Sequence, residues 1–285
     1  MSHVPCGLDA DRALVRLRST MRTVPPAVEL GSDLFATTRL QLLHAIGRPC
    51  LTLAAYVVAA RAGWWLVAVP LVSMVFLANV SVVHDLMHRS LGLRSTTNSA
   101  LLGLLALLML DCGHVLQVTH AEHHRRFPSA EDPEAYLAGW PWWRVLLEGP
   151  RYRYRLWRWA WRHHPERRGV VLLEAAAHLA LVIGAAVAAL LGVAAMFTVY
   201  VGVAVVGGWL FPIISVYAVH DVHGATQFQR SRTVRGRVVP KVLLGMGYHL
   251  EHHLWPTIPA HHLDEAAARA TTILERERSS IVRVP

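Results

Sequence analysis

The sequence predicts an all-α integral-membrane protein, with four transmembrane helices in two hairpins, further interfacial helices and a cytoplasmic histidine-rich cap. Three observations carry this reading. Of 285 residues 54% are hydrophobic and only 16% charged, too apolar for an ordinary soluble domain. Residues 50–60, 62–83, 170–192 and 193–217 are almost free of charge, and about 20 apolar residues suffice to cross roughly 30 Å of hydrocarbon. Third, the chain holds 18 histidines, many of them grouped beside these apolar runs.

Taken in order, residues 1–46 read as an N-terminal cytoplasmic arm with an amphipathic segment, carrying Arg12, Arg16, Arg18 and Arg22. The arm lacks an apolar stretch followed by a small-residue cleavage site, so no cleavage is expected. The run from Cys50 to Val83 is too long for one span and breaks near Arg61-Ala62-Gly63, giving a first hairpin. Residues 170–190 and 194–217 form a second, turning at Leu191-Gly192-Val193. Both turns are short and nearly uncharged, which places the N-terminus, the middle loop and the C-terminus together on the cytoplasmic side, with the plasma membrane as the expected location.

Residues 99–118 form a fifth apolar stretch. A full crossing would separate the histidines before it from those after it, so an interfacial or re-entrant course is expected. Residues 141–168 mix tryptophan and tyrosine with arginine, as in Trp142, Trp143, Arg153, Tyr154 and Trp157, which suits a helix lying in the headgroup zone. The core of the chain is placed at residues 47–262, and residues 263–285 are read as a C-terminal cytoplasmic tail.

The formal net charge is +9. Its arginines flank apolar spans, as the positive-inside rule distributes them, so nucleic acid is not an expected partner. Cys6, Cys50 and Cys112 are odd in number and far apart, and read as structural thiols.

Three histidine groups stand out: His84 with His88; His120 with His123 and His124; His249 with His252 and His253. Residues at i, i+3 and i+4 share one helical face, so each group projects its imidazoles in one direction. Neutral imidazole is a good ligand for iron, zinc or copper. Eight such rings exceed the capacity of one ion, so two metals are implied, and His220 at the end of the fourth span is a ninth candidate. Glu122 and Glu251, at i+2, should face away and pair with arginines. Asp85 and Asp221 each follow a candidate ligand and are candidates for orienting a ring N–H; His114 and His223 lie near the groups and are given at most such a supporting role. His3, His44, His163, His164, His178, His261 and His262 are expected to be ordinary hydrogen-bonded residues.

The ordered set His84-x3-His88, His120-x2-His123-His124 and His249-x2-His252-His253, with its two apolar hairpins, resembles the membrane fatty-acid desaturase superfamily over roughly residues 45–262. The segment Tyr248–Pro259 is similar to the last histidine box of acyl-lipid desaturases, and also to that of carotenoid hydroxylases and ketolases. The resemblance implies a di-iron centre held by the three boxes and by an additional histidine, here His220. It further implies O2 as co-substrate and an oxidant able to remove hydrogen from an unactivated C–H bond. Animal acyl-CoA desaturases carry an asparagine four residues before the additional histidine, holding a metal-bound water; here it is Val216, a departure that bears on the geometry of the ninth ligand and weakens the transfer of their acyl-CoA specificity.

A long apolar lipid chain is the expected substrate, and a fatty-acyl or lipid desaturase the leading function. A carotenoid hydroxylase or ketolase is the alternative within this chemistry, and a membrane metal transporter the alternative of another class. The sequence shows no haem-binding cytochrome b5 domain and no cysteine set for an iron–sulfur or rubredoxin centre, so the electron donor is expected to be a separate protein of ferredoxin, rubredoxin or cytochrome b5 type. No substrate-binding residue is identified, although Gly202, Gly207 and Gly208 are expected either to leave room for a chain or to let helices pack closely.

Overall fold

In the structure, a computed structural model describing residues 24–284, the chain is an all-α membrane protein. Helix α1 (Arg39–Arg61) begins at a capping box in which Thr38 and Gln41 satisfy each other's backbone N–H groups. It turns through Gly63, whose φ of +74° suits glycine, into α2 (Trp65–His88). The second hairpin pairs α6 (Arg168–Leu190) with α7 (Ala195–Pro212), which runs on as a π-helical turn to Tyr217. Among the described residues these are the four single helices long and apolar enough to span a bilayer, and they match the two expected hairpins. Their flanks are lipid-facing: Leu66 and Leu190 are 95% and 88% exposed, which water would penalise and hydrocarbon does not.

Between the hairpins, α3 (Ser95–Leu108) and α4 (Gly113–Arg126) meet at a bend of 102°. The bend is tight because Gly113 has no side chain: a Cβ there would strike the Leu102 backbone. The carbonyls freed by the break find donors elsewhere, Leu108 from the Tyr200 hydroxyl at 2.7 Å, and Met109 and Leu110 from the Arg153 guanidinium at 3.0 Å each. Arg153 also pairs with Asp111 at 3.0 Å. His88, before this stretch, and His120, after it, have ring centroids 5.0 Å apart, so the chain returns to the level it left.

Arg153 belongs to α5 (Trp142–His163), whose buried face is Val145, Tyr152, Leu156 and Ala160, while Trp142, Trp143 and Tyr154 are exposed. This one-sided pattern is that of a helix lying on a surface.

The cap follows α7. Strand β1 (Arg232–Arg235) pairs in parallel with β2 (Ser280–Arg283), and between them lie α8 (His249–Leu254), α9 (Leu263–Arg269) and α10 (Thr271–Arg276). Residues 263–284 pack into this cap. Leu263, Ala266, Ala267, Ala270 and Leu274 follow a helical period and are buried, all but Ala267 in one apolar cluster with Leu34, Phe228, Leu250 and Trp255. The arm is likewise docked where it is described: Arg269 grips Asp33 at 2.7 and 2.8 Å. The expected amphipathic segment falls largely on residues 1–23, outside the described residues.

Candidate metal centre

The histidine groups converge from four places in the chain. Helix α2 delivers His84 and His88 and ends one residue later, where Arg89 takes a left-handed conformation. Helix α4 delivers His120, His123 and His124, the turn after α7 delivers His220, and α8 delivers His249, His252 and His253. Two sets result. His84, His88, His120 and His252 form one, His123, His220, His249 and His253 the other, each with ring nitrogens within 4.8 Å of one another. His124 stands between them, its Nε2 at 2.8 Å from that of His252 and 3.2 Å from that of His120, and its ring centroid 4.4 Å from that of His253.

Ring chemistry shows that these nitrogens are arranged for a cation. His220 Nδ1 lies 3.0 Å from the Val216 carbonyl, which can only accept, so Nδ1 carries the proton and Nε2 a lone pair. His123 Nδ1 lies 2.7 Å from Asp132, and His120 Nδ1 2.9 Å from Glu134, with the same consequence. Yet the Nε2 atoms of His123 and His220 face each other at 3.0 Å, and those of His249 and His253 complete a cage with contacts of 3.0–3.3 Å. Lone pairs do not hold one another. Four ring nitrogens gathered this closely suit one metal ion, which imidazole binds at roughly 2.0–2.1 Å. In the other set His84 and His88 have buried Nε2 atoms with no hydrogen-bond partner, which is costly unless a ligand satisfies them.

Burial also keeps the rings in their ligating form. His220 is pushed down to about 3 by desolvation and by neighbouring His123, and His249, His252 and His253 are held well below the ordinary histidine range first by burial and then by the other imidazoles.

The acidic neighbours divide. Glu122 turns to Arg125 and Arg126, and Glu251 to Arg235 at 2.6 Å, both away from the imidazoles as their i+2 positions imply. Asp85, in contrast, accepts from the Ala260 N–H at 2.8 Å and from Ser90, not from a histidine ring: it joins α2 to the chain beyond α8. Asp221 closes a local turn onto the His223 N–H at 3.0 Å, and His223 is exposed. His114 is buried between Glu174 and Ser99, at 2.7 Å from each, and ties α4 to α6 and α3. The carboxylates that do orient rings, Asp132 and Glu134, follow the second box by eight to ten residues; the segment Glu131-Asp132-Pro133-Glu134 was the available signal.

Gly207 and Gly208 do not leave an open channel. A Cβ on Gly207 would press on Phe76, and one on Gly208 would fall on the Arg153 guanidinium, whereas Gly202 faces open space. Close packing is the role of the first two.

Four membrane-length helices and two buried imidazole sets at one level define an integral-membrane protein with a metal site. A family model described as fatty acid desaturase matches residues 62–284, and the chain belongs to that family, which makes it an oxidoreductase. No curated protein matches it.

Proposed function

We propose that this chain is an O2-dependent non-haem di-iron oxidase that desaturates a long acyl chain of a membrane lipid. The observation that carries the reading is the double cage: nine imidazoles at one level, with Nε2 lone pairs facing inward and Nδ1 protons on His120, His123 and His220 held by acceptors behind them. His84, His88, His120, His124 and His252 would hold one iron, and His123, His220, His249 and His253 the other. The bound pair supplies the power to take hydrogen from an unactivated C–H bond with O2. Desaturation then removes two hydrogens from adjacent carbons and forms two waters, which requires two electrons and two protons from outside the site.

What the protein contributes is placement. Asp132 and Glu134 fix the tautomers of His123 and His120, so both rings present Nε2 without rearrangement. The burial of the set excludes water from a reactive centre. Its position at the ends of spans lets an alkyl chain reach it without leaving apolar surroundings. A carotenoid hydroxylase or ketolase is the second reading within the same chemistry. A transporter would need ligands spread through the membrane depth, and these are gathered at one level. Electrons are supplied by a separate donor protein, and the plasma membrane, with the cap on its cytoplasmic side, is the proposed location.

Mass spectrometry of lipids and pigments from cells carrying the active gene, compared with cells carrying the His252→Ala, His253→Ala variant, tests this. Acyl chains that lose two hydrogens only with the active gene are the expected result. An oxygenated carotenoid with an unchanged acyl profile would assign the other chemistry.

A further inference from the structure

Of the histidines expected to be ordinary, His262 bonds the Ala36 carbonyl, His163 the Trp159 carbonyl and His164 Glu166. His261 differs from these three: both of its ring nitrogens are buried and neither has a hydrogen-bond partner. It lines a cavity of about 200 Å³ between the start of α1 and the cap, where Arg48 and Lys241 also lie. Arg48 likewise has a buried Nε without a partner, and one of its terminal nitrogens reaches only a long 3.4 Å contact with Ser81. Two carboxylates share the wall: Asp85, which accepts from the Ala260 N–H and also acts electrostatically on Arg48, and Asp264, which accepts from the Glu265 N–H. The unspent capacity in this cavity therefore includes donors with positive charge, Arg48 above all, and what matches it is an anion with several acceptor oxygens.

The surroundings say where such an anion comes from. Leu40 and Leu43, one turn or two before Arg48 on α1, are 77% and 69% exposed, and Val238 and Val242 on the opposite wall's segment are each 59% exposed. Apolar side chains on both sides of a cavity that holds Arg48 and Lys241, at the end of a membrane span, describe the boundary where acyl chains meet headgroups. We propose that this cavity binds a phosphate group, held by Arg48, Lys241 and His261, and that a membrane phospholipid headgroup supplies it, with free phosphate sharing the same chemistry. The site is separate from the imidazole cages, although Asp85 in its wall directly follows His84.

Isothermal titration of the purified, metal-loaded full chain in detergent tests it with three probes: dioctanoyl phosphatidate, dioctanoylglycerol, which has the same chains without phosphate, and inorganic phosphate. Saturable binding of phosphatidate tighter than that of dioctanoylglycerol, and competition by inorganic phosphate for the difference, are expected. His261→Gln and Lys241→Gln should each weaken phosphatidate roughly ten- to a hundredfold, the loss of one charge-assisted hydrogen bond; they lie outside the spans and complement Arg48→Gln, which is more exposed to misfolding. Inorganic phosphate binding as tightly as phosphatidate would assign the site to the free ion and overturn the headgroup source. Equal binding of phosphatidate and dioctanoylglycerol, or affinities unchanged in all three variants, would overturn the site.

Discussion

Asp132 holds His123 by a 2.7 Å contact from its carboxylate to Nδ1, and both side chains are almost wholly withdrawn from solvent. Because a carboxylate only accepts, this pair decides which nitrogen of His123 is free for a metal. Asp132→Asn keeps the shape but allows the amide to donate, which can reverse the tautomer. The expected outcome is about ten- to a hundredfold weaker metal binding with the helical fold retained, read by metal analysis beside circular dichroism. Glu134→Gln should act in the same way on the set containing His120, so that the two variants deplete different irons in a Mössbauer spectrum.

Arg153 is expected to hold the bend between α3 and α4. Its planar fork serves the Met109 and Leu110 carbonyls and Asp111 together, a task the single ammonium of lysine cannot repeat. Arg153→Leu leaves Asp111 buried without its cation and should cost about 3 kcal/mol or more. Gly208→Leu should lower stability and metal content in parallel by displacing the same guanidinium, whereas Gly202→Leu should leave both unchanged. Thermal midpoints and iron content for the three variants check the ordering.

His114 and Glu174 join α4 to α6 through a buried 2.7 Å contact. His114→Ala leaves the carboxylate without its ring partner in the interior, and a destabilisation of about 3–5 kcal/mol is expected, measured as a fall in the thermal midpoint. Metal stoichiometry in protein that remains folded should stay at the wild-type value, which distinguishes a tie between helices from a ligand.

Much of this was legible in the sequence because it depends on local periodicity. Hairpin limits come from uninterrupted apolar length, and the facing of His120, His123 and His124, like the turning away of Glu122 and Glu251, follows from helical spacing. What escaped depends on segments that meet only on folding. Asp85 sits beside a ligand in sequence, yet its partner is the Ala260 N–H, 175 residues away. The parallel pairing of Arg232–Arg235 with Ser280–Arg283 has no signature in either short segment. The buried period from Leu263 to Leu274 was readable but lay beyond the last histidine box, where a tail was expected.

The return of the stretch between His88 and His120 to its starting level gives a topological prediction. Single cysteines at Gly92 and Ala130, in a background with the native cysteines replaced, should react with a membrane-impermeant thiol reagent from the same face. Labelling from opposite faces would mean that α3 and α4 together cross the membrane.

Iron stoichiometry tests the central claim most directly. His252 and His253 belong to different cages, so replacing both with alanine removes one ligand from each. Metal analysis of protein purified from iron-supplemented cells should give two irons per chain for the wild type, and a loss from both sites in the His252→Ala, His253→Ala variant. A wild-type chain that holds a single metal, or a double variant that loses none, would contradict the two-cage account.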